Sequence, residues 1–298
     1  MKAVTERNSQ GRSAPRGPLF PRRRTAARPT SLWIGATIAL LMVLTTLLGL
    51  LLPDNNSQAT ELGARLAPPG PDHLLGTDQL GRDLAGRVLD GFAWSLGIGA
   101  VATLLAMVIG IMIGVLGGWY PGVVRAVLNR VIDIGISFPF LVVAVTVVAV
   151  VGRGFWPLAL TLGVVSWPTV ARVVYAETLG LREREYVVAA RLIGVRSPRS
   201  ILTHLLPALR PTLQVIAAFT FADLLVAESG LSFLGLGAPL GDATWGNMLA
   251  DSRAYLVSAP WMMLVPATVI VLAVLSANLL GDGLSAQDRL RNRRGNSA

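Results

Sequence analysis

Residues 91–124 contain no charged side chain, and this run constrains the fold more than any other feature of the sequence. It exceeds the about 20 residues that a helix needs to cross the hydrocarbon core of a bilayer. The whole chain is 53% hydrophobic and 14% charged, a balance that excludes an ordinary soluble globule. The run therefore predicts a transmembrane helix in an integral membrane protein.

Stretches of similar character recur along the chain and predict an all-α, polytopic fold with six transmembrane helices and no soluble domain. The predicted spans are residues 31–52, 94–117, 134–152, 154–171, 211–233 and 261–280. Residues 1–30, which are rich in Arg, Pro and Ser, predict a disordered basic tail before a membrane domain of residues 31–283. Residues 284–298 are predicted to form a short second tail on the same side of the membrane as the first.

The placement of basic residues predicts the orientation of these spans. If the N-terminus lies in the cytoplasm, the inner segments hold 21 of the 26 Lys and Arg residues. The positive-inside rule requires this asymmetry, so both termini and the loop 182–207 are predicted to face the cytoplasm of a cell membrane. Because the basic residues lie beside apolar runs, the formal net charge of +9 indicates membrane orientation rather than nucleic-acid binding.

A charged, helix-forming segment interrupts the apolar runs on the cytoplasmic side. Its side chains Tyr186, Ala189, Ala190 and Ile193 recur at i, i+3, i+4 and i+7, which predicts one helical face. The two alanines would let another backbone approach closely, and Gly194 is suited to end the helix in a left-handed cap. The segment therefore predicts a docking surface on the water side of a membrane protein.

The sequence from Arg182 to Pro207 resembles the cytoplasmic coupling loop, or EAA loop, of ABC-importer permeases, and within them the dipeptide, oligopeptide and nickel branch. Val188 stands where the general motif carries its glutamate, so an acidic contribution would come from Glu183 or Glu185. The competing interpretation is an amphipathic helix that rests on anionic lipid through its arginines.

Motifs on the outer side and in the last span resemble the same branch of permeases. They are residues 73–84, 228–237, 245–249 and 278–283. The resemblance thus covers most of the chain, with several motifs in the expected order. It implies a type I importer permease fold.

The first of these outer motifs also predicts local structure. Thr77 or Asp78 is expected to cap a helix with Leu80 on its apolar face, and Asp83 is expected to pair with Arg87. Two interpretations remain open: a solvated helix on the outer membrane surface, or a contact with a partner subunit or a solute-binding protein.

Residues for catalysis are missing from the sequence. Its single lysine is Lys2, so it holds no Gly-Lys-Ser/Thr loop that could cradle phosphates. Its two histidines, His73 and His204, are predicted to lie on opposite sides of the membrane, and no catalytic triad or metal-binding spacing accompanies them. The chain is therefore expected to be neither an enzyme nor a holder of a metal or cofactor.

The resemblance implies a complex in which this chain pairs with a second homologous permease, two cytoplasmic ATPase subunits and an extracytoplasmic solute-binding protein. ATP and Mg²⁺ would bind the ATPase subunits, and peptides are the expected solute. Nickel or another small solute is the alternative cargo, and a secondary transporter is the alternative class. The resemblance assigns ATPase coupling to Glu183, Glu185, Tyr186, Ala189, Ala190, Ile193, Gly194 and Pro207.

Two carboxylates interrupt the fifth predicted span and are candidates for the substrate pathway. An ionised carboxylate in mid-membrane costs about 2.5–3.5 kcal/mol on insertion scales, so Asp223 and Glu228 are expected to face a cavity or a partner. Five residues apart, they project about 140° apart around a helix and should not share one site. For Asp223 the alternative is a bond to a neighbouring helix, and for Glu228 the structural role is favoured.

The predicted topology can be tested by thiol labelling, because the chain has no cysteine. In intact cells, a single cysteine at Ser197 should resist membrane-impermeant reagents, whereas one at Gln58 should be labelled. Labelling of the Ser197 position from outside would overturn both the orientation and the docking interpretation.

Overall fold

The computed structural model describes residues 29–51, 58–239 and 241–295. The predicted basic tail, residues 1–30, lies outside the described residues except for its last two positions. The predicted second tail falls largely within the last helix, which continues to Gly295.

The described residues form eleven α-helices and no strand. They are α1 Pro29–Leu51, α2 Leu84–Gly91, α3 Gly97–Trp119, α4 Val123–Ser137, α5 Phe140–Val151, α6 Phe155–Arg182, α7 Glu185–Leu192, α8 Ser197–Ser200, α9 Leu206–Phe233, α10 Trp245–Ser252 and α11 Trp261–Gly295. A π-helical turn, Phe92–Leu96, joins α2 to α3, and a second, Ile201–Leu205, joins α8 to α9. Short 3₁₀ turns lie at Leu62–Ala64 and Arg253–Tyr255.

Five helical stretches in the described ranges are long and apolar enough to cross a membrane. They are 30–47, 84–119, 155–182, 197–233 and 261–287, and the bent pair of α4 and α5 makes a sixth if it is counted as one span. The prediction of an all-α, polytopic membrane fold is confirmed.

The third predicted span, residues 134–152, is not one helix. The chain breaks between α4 and α5, whose axes meet at 83°. Pro139 has no N–H to donate, and its ring forces the preceding Phe138 into an extended conformation, with φ −88° and ψ 134°. Residues 134–152 therefore form the end of α4, a corner and the short apolar helix α5.

The second and fourth spans are longer than their charge-free windows. The second begins at Leu84 rather than Trp94, and the fourth continues beyond Ala171 to the end of α6. Arg172 is accommodated in α6 because it donates to Asn129 Oδ1 at 3.0 Å and to Asp133, both on α4. Hydrogen-bonding partners on a neighbouring helix thus stabilise a charged residue within α6, whereas the search for uncharged stretches ended the span before it.

A seam of glycines brings α3 and α6 together. Gly110, Gly114 and Gly118 are spaced four residues apart and lie on one face of α3. A Cβ at Gly114 would lie 2.7 Å from the carbonyl oxygen of Ala171 and 2.7 Å from Val174 Cβ. Small residues at this spacing permit the close backbone approach that holds helices together in lipid, where the hydrophobic effect does not drive their association.

A buried ion cluster organises the segment that precedes α2. Asp78, 1% exposed, accepts from the backbone N–H of Leu80 and Arg82 and from Arg82 Nε at 2.7 Å. It also pairs with Arg87, which reaches Asp251 of α10 at 3.5 Å. Burial alone would raise the pKa of Asp78, but these hydrogen bonds outweigh it and hold the pKa below its ordinary value of 3.8.

The local predictions for this segment were wrong. The residue that caps α2 is Asp83, which accepts from the N–H groups of Ala85 and Gly86, rather than Thr77 or Asp78. Asp83 also pairs with His73 at 2.9 Å, while Arg87 pairs with Asp78. The helix begins at Leu84 because Gly76 and Gly81, with φ +79° and +76°, turn the chain before it.

The glycine seam predicts an unequal pair of alanine substitutions. Gly114→Ala should lower the melting temperature of the detergent-purified protein, because the added methyl overpacks the seam at a typical cost of about 1–3 kcal/mol. Gly180→Ala, in α6, is the matched control, since a Cβ there meets nothing within 4 Å. Equal melting temperatures for Gly114→Ala and the parent would show that the seam does not hold the two helices.

Candidate functional site

In the sequence, the helix α7 lies between the long helices α6 and α9, and a distinct backbone conformation marks each of its ends. Arg184 precedes it in an extended conformation, with φ −67° and ψ 141°. At its other end Gly194 has φ +84°, and the N–H of Val195 donates to the carbonyl of Ala190 at 3.0 Å. Gly194 thus ends the helix in the left-handed cap that the sequence predicts.

The predicted face of α7 is wrong at one position. Tyr186, Ala189 and Ile193 are exposed, but Ala190 is only 6% exposed and lies with Val187 on the face that packs against the rest of the chain. Val187 belongs to a core cluster with Leu205. The packing of Val187 in this cluster therefore places that side of α7 inward.

The outward side of α7 carries large apolar side chains. Leu192 is 82% exposed and Ile193 is 81% exposed, and Tyr186 is half exposed. We call Glu185, Tyr186, Ala189, Leu192 and Ile193 the exposed face of α7. Sequence reasoning missed Leu192 because its position, three residues after Ala189, fell outside the chosen stripe.

The remaining predicted coupling residues lie around this face. Glu183 is exposed at the end of α6. Glu185 is exposed in the first turn of α7, where the positive end of the helix dipole stabilises a carboxylate. Pro207 lies on a different element, exposed in the first turn of α9. The π-helical turn before Pro207 accommodates its missing N–H.

Two arginines hold α7 against the end of α3. The guanidinium of Arg191 lies over the ring of Trp119, 4.2 Å from its centroid, a cation–π contact. Arg182 donates to the carbonyl oxygens of Gly118 at 3.3 Å and Trp119 at 3.2 Å. Burial, with the nearby charge of Arg182, lowers the pKa of Arg191. The end of α6 and the helix α7 are therefore both attached to the end of α3.

A cavity of about 940 Å³ lies beside the corner between α4 and α5. Its walls are also formed by α6 and α9. The lining residues that are polar or aromatic are Phe138, Phe140, Ser166, Trp167, Thr169, Thr220 and Asp223. Its volume falls within the range of about 300–1,000 Å³ that is typical of small-molecule sites.

The two carboxylates of α9 have opposite environments. Asp223 is exposed and lines the cavity. Glu228 is 0% exposed and does not line it; its carboxylate accepts from Ser232 Oγ at 2.7 Å and Ser229 Oγ at 3.3 Å. The structure therefore separates the two predicted pathway residues, and Glu228 lies in the protein core.

Glu228 holds α10 against α9. Ser95, in the turn before α3, also donates to Glu228, and its hydroxyl accepts from the backbone N–H of Trp245 at 3.3 Å. Gly246 lets α10 approach, since a Cβ there would lie 2.5 Å from the carbonyl oxygen of Ser229. A buried carboxylate is tolerated here because neighbouring hydroxyls satisfy it.

No group of three or more His, Cys, Asp or Glu residues suited to a metal ion occurs in the described part of the chain. His73 pairs with Asp83, and His204 Nδ1 lies 2.8 Å from the Thr203 hydroxyl.

Known proteins resemble the chain in sequence along most of its length. The family described as "Binding-protein-dependent transport system inner membrane component" matches residues 106–287. A protein of Brucella suis, provisionally named a peptide transport system permease protein, is 39% identical over 269 residues, which are 90% of each chain. The dipeptide transport system permease protein DppC of Alkalihalophilus pseudofirmus is 34% identical over 251 residues, 84% of this chain and 83% of its own.

A solved structure has the same fold at lower identity. It is a chain of the inward-facing MetNI methionine ABC transporter, with a TM-score of 0.55 and 22% identity. The match covers 66% of this chain and 93% of the other.

Proposed function

The chain belongs to the family of binding-protein-dependent transport system inner membrane components, and on that premise we propose that it carries peptides through the membrane as one half of an ATP-driven importer. It is a multi-pass membrane protein and a permease component. Relatives that are named as peptide and dipeptide permeases support the choice of solute.

The exposed face of α7 carries this proposal. Leu192 and Ile193 present large apolar side chains on a short helix outside the long apolar spans. Such side chains are costly to leave in water, and grouped together they are typical of an interaction surface. We assign this surface, with Glu183 and Glu185 beside it, to a groove of a cytoplasmic ATPase subunit. ATP and Mg²⁺ would bind that subunit rather than this chain.

The complete assembly is proposed to contain a second homologous permease, two ATPase subunits and an extracytoplasmic binding protein. In this arrangement both termini and α7 face the cytoplasm, as the distribution of basic residues indicates. The cavity beside Asp223 would form part of the pathway, with the second permease supplying its facing wall.

Movement is proposed to pass from α7 into the bundle through its inward side. Val187 and Ala190 pack into the chain, and Arg191 lies over Trp119 at the end of α3. When the ATPase subunits close, α7 would carry α3 and the packed α6 with it. The bundle would then change between inward-open and outward-open arrangements as a rigid body.

The proposal predicts opposite results for one charge placed on two faces of α7. Ile193→Glu should lower uptake of radiolabelled trialanine by the reconstituted complex at least about tenfold, because burial of an unpaired carboxylate at an apolar contact costs several kcal/mol. The ATPase activity should also lose its response to the loaded binding protein.

Val188→Glu is the matched control on the same helix. It adds the same charge at the position where the related motif carries glutamate, so uptake should be retained. Equal losses for both variants would instead favour the lipid-surface interpretation, and a parent complex that carries nickel but not trialanine would contradict the peptide assignment.

A further inference from the structure

Asp223 is the one ionisable side chain among the described residues that line the cavity. Most of the other lining residues are apolar, among them Val143, Val164 and Val226. Apolar lining atoms cannot compensate an ionised carboxylate by hydrogen bonding. The cavity therefore has one negatively charged group in a largely apolar wall.

No described residue donates a hydrogen bond to Asp223 or pairs with it. This sets it apart from Glu228, five residues further along the same helix, which accepts from three serine hydroxyls. The carboxylate of Asp223 is exposed toward the cavity. A cation that enters the cavity, or one on a facing chain, can therefore reach this carboxylate.

We propose that Asp223 binds the α-ammonium group of the peptide during its passage, a role that rests on the proposed function. A carboxylate accepts hydrogen bonds and attracts a cation, and an ammonium group offers three donors. The aromatic residues Phe138, Phe140 and Trp167 line the same cavity, and aromatic faces attract ammonium groups.

A bare divalent metal ion fits this cavity poorly. Calcium takes six to eight oxygen ligands and magnesium requires octahedral coordination. The described lining offers one carboxylate and the hydroxyls of Ser166, Thr169 and Thr220. One negative charge in an apolar, aromatic cavity is matched to one organic cation.

The local potential can be measured without any solute. Thr220 lines the cavity one helical turn from Asp223, and the chain has no cysteine of its own. In the full complex, with cysteine-free partner subunits, a cysteine at Thr220 is treated with a cationic and an anionic thiosulfonate reagent. With Asp223 present, the cationic reagent should react faster than the anionic one by about tenfold beyond their ratio on a free thiol.

Asp223→Asn in the same background should bring that ratio close to the free-thiol value. Asp72→Asn is the matched control, since Asp72 is an exposed carboxylate in the segment before α2 and does not line the cavity. It should leave the ratio unchanged. A reaction without charge preference in the parent would overturn the ammonium site alone.

Uptake of trialanine supplies the second measurement. Asp223→Asn should lower kcat about tenfold with little change in KM, which the binding protein sets, and Asp223→Glu should recover part of the loss. Failure of the Asn variant to assemble would assign the carboxylate to the second permease and overturn the site. No reaction of the Thr220 cysteine with either reagent would instead overturn the proposed pathway.

Discussion

The close contact between α3 and α6 is the interaction on which the rest of the structure depends. In lipid no hydrophobic effect drives helices together, so they associate where small residues let their backbones meet. Gly110, Gly114 and Gly118 provide that contact along the second half of α3. The helix α7 is attached at one end of this pair, and residues 164–169 of α6 line the cavity.

Two carboxylates on one helix have environments that favour different roles. Glu228 is enclosed by serine hydroxyls and joins α9 to α10 and to the turn before α3, so its charge is satisfied by the fold itself. Asp223 lines an open cavity with no described partner. Since a mid-membrane carboxylate is costly, its unsatisfied position supports the proposal that it binds a cationic group of the solute.

The class and the spans could be predicted because lipid demands long uncharged helices, and the 140° offset already separated Asp223 from Glu228. Other features depend on tertiary contacts that composition does not record. A search for uncharged stretches does not detect the missing N–H of Pro139, so the corner between α4 and α5 was not predicted. The helical period alone does not decide between two overlapping stripes on α7. Ala190 was assigned to the wrong side because Val187, which packs in a cluster with Leu205, determines which side faces inward.

The cation–π contact between Arg191 and Trp119 joins α7 to the end of α3, and the glycine seam joins α3 to α6. In the proposed mechanism α6 would therefore act as a lever arm as well as a span. With 28 residues, α6 extends about 42 Å at a rise of 1.5 Å per residue. A sideways shift of about 3 Å at the α7 end, with the far end held where Phe155 packs edge-on against Trp94, would rotate such a rod by roughly 4°. Because the displacement declines along the rod, the end of the bundle nearest α7 would travel furthest and the opposite end least. One closure of the ATPase subunits would then move the two ends of the bundle by different amounts.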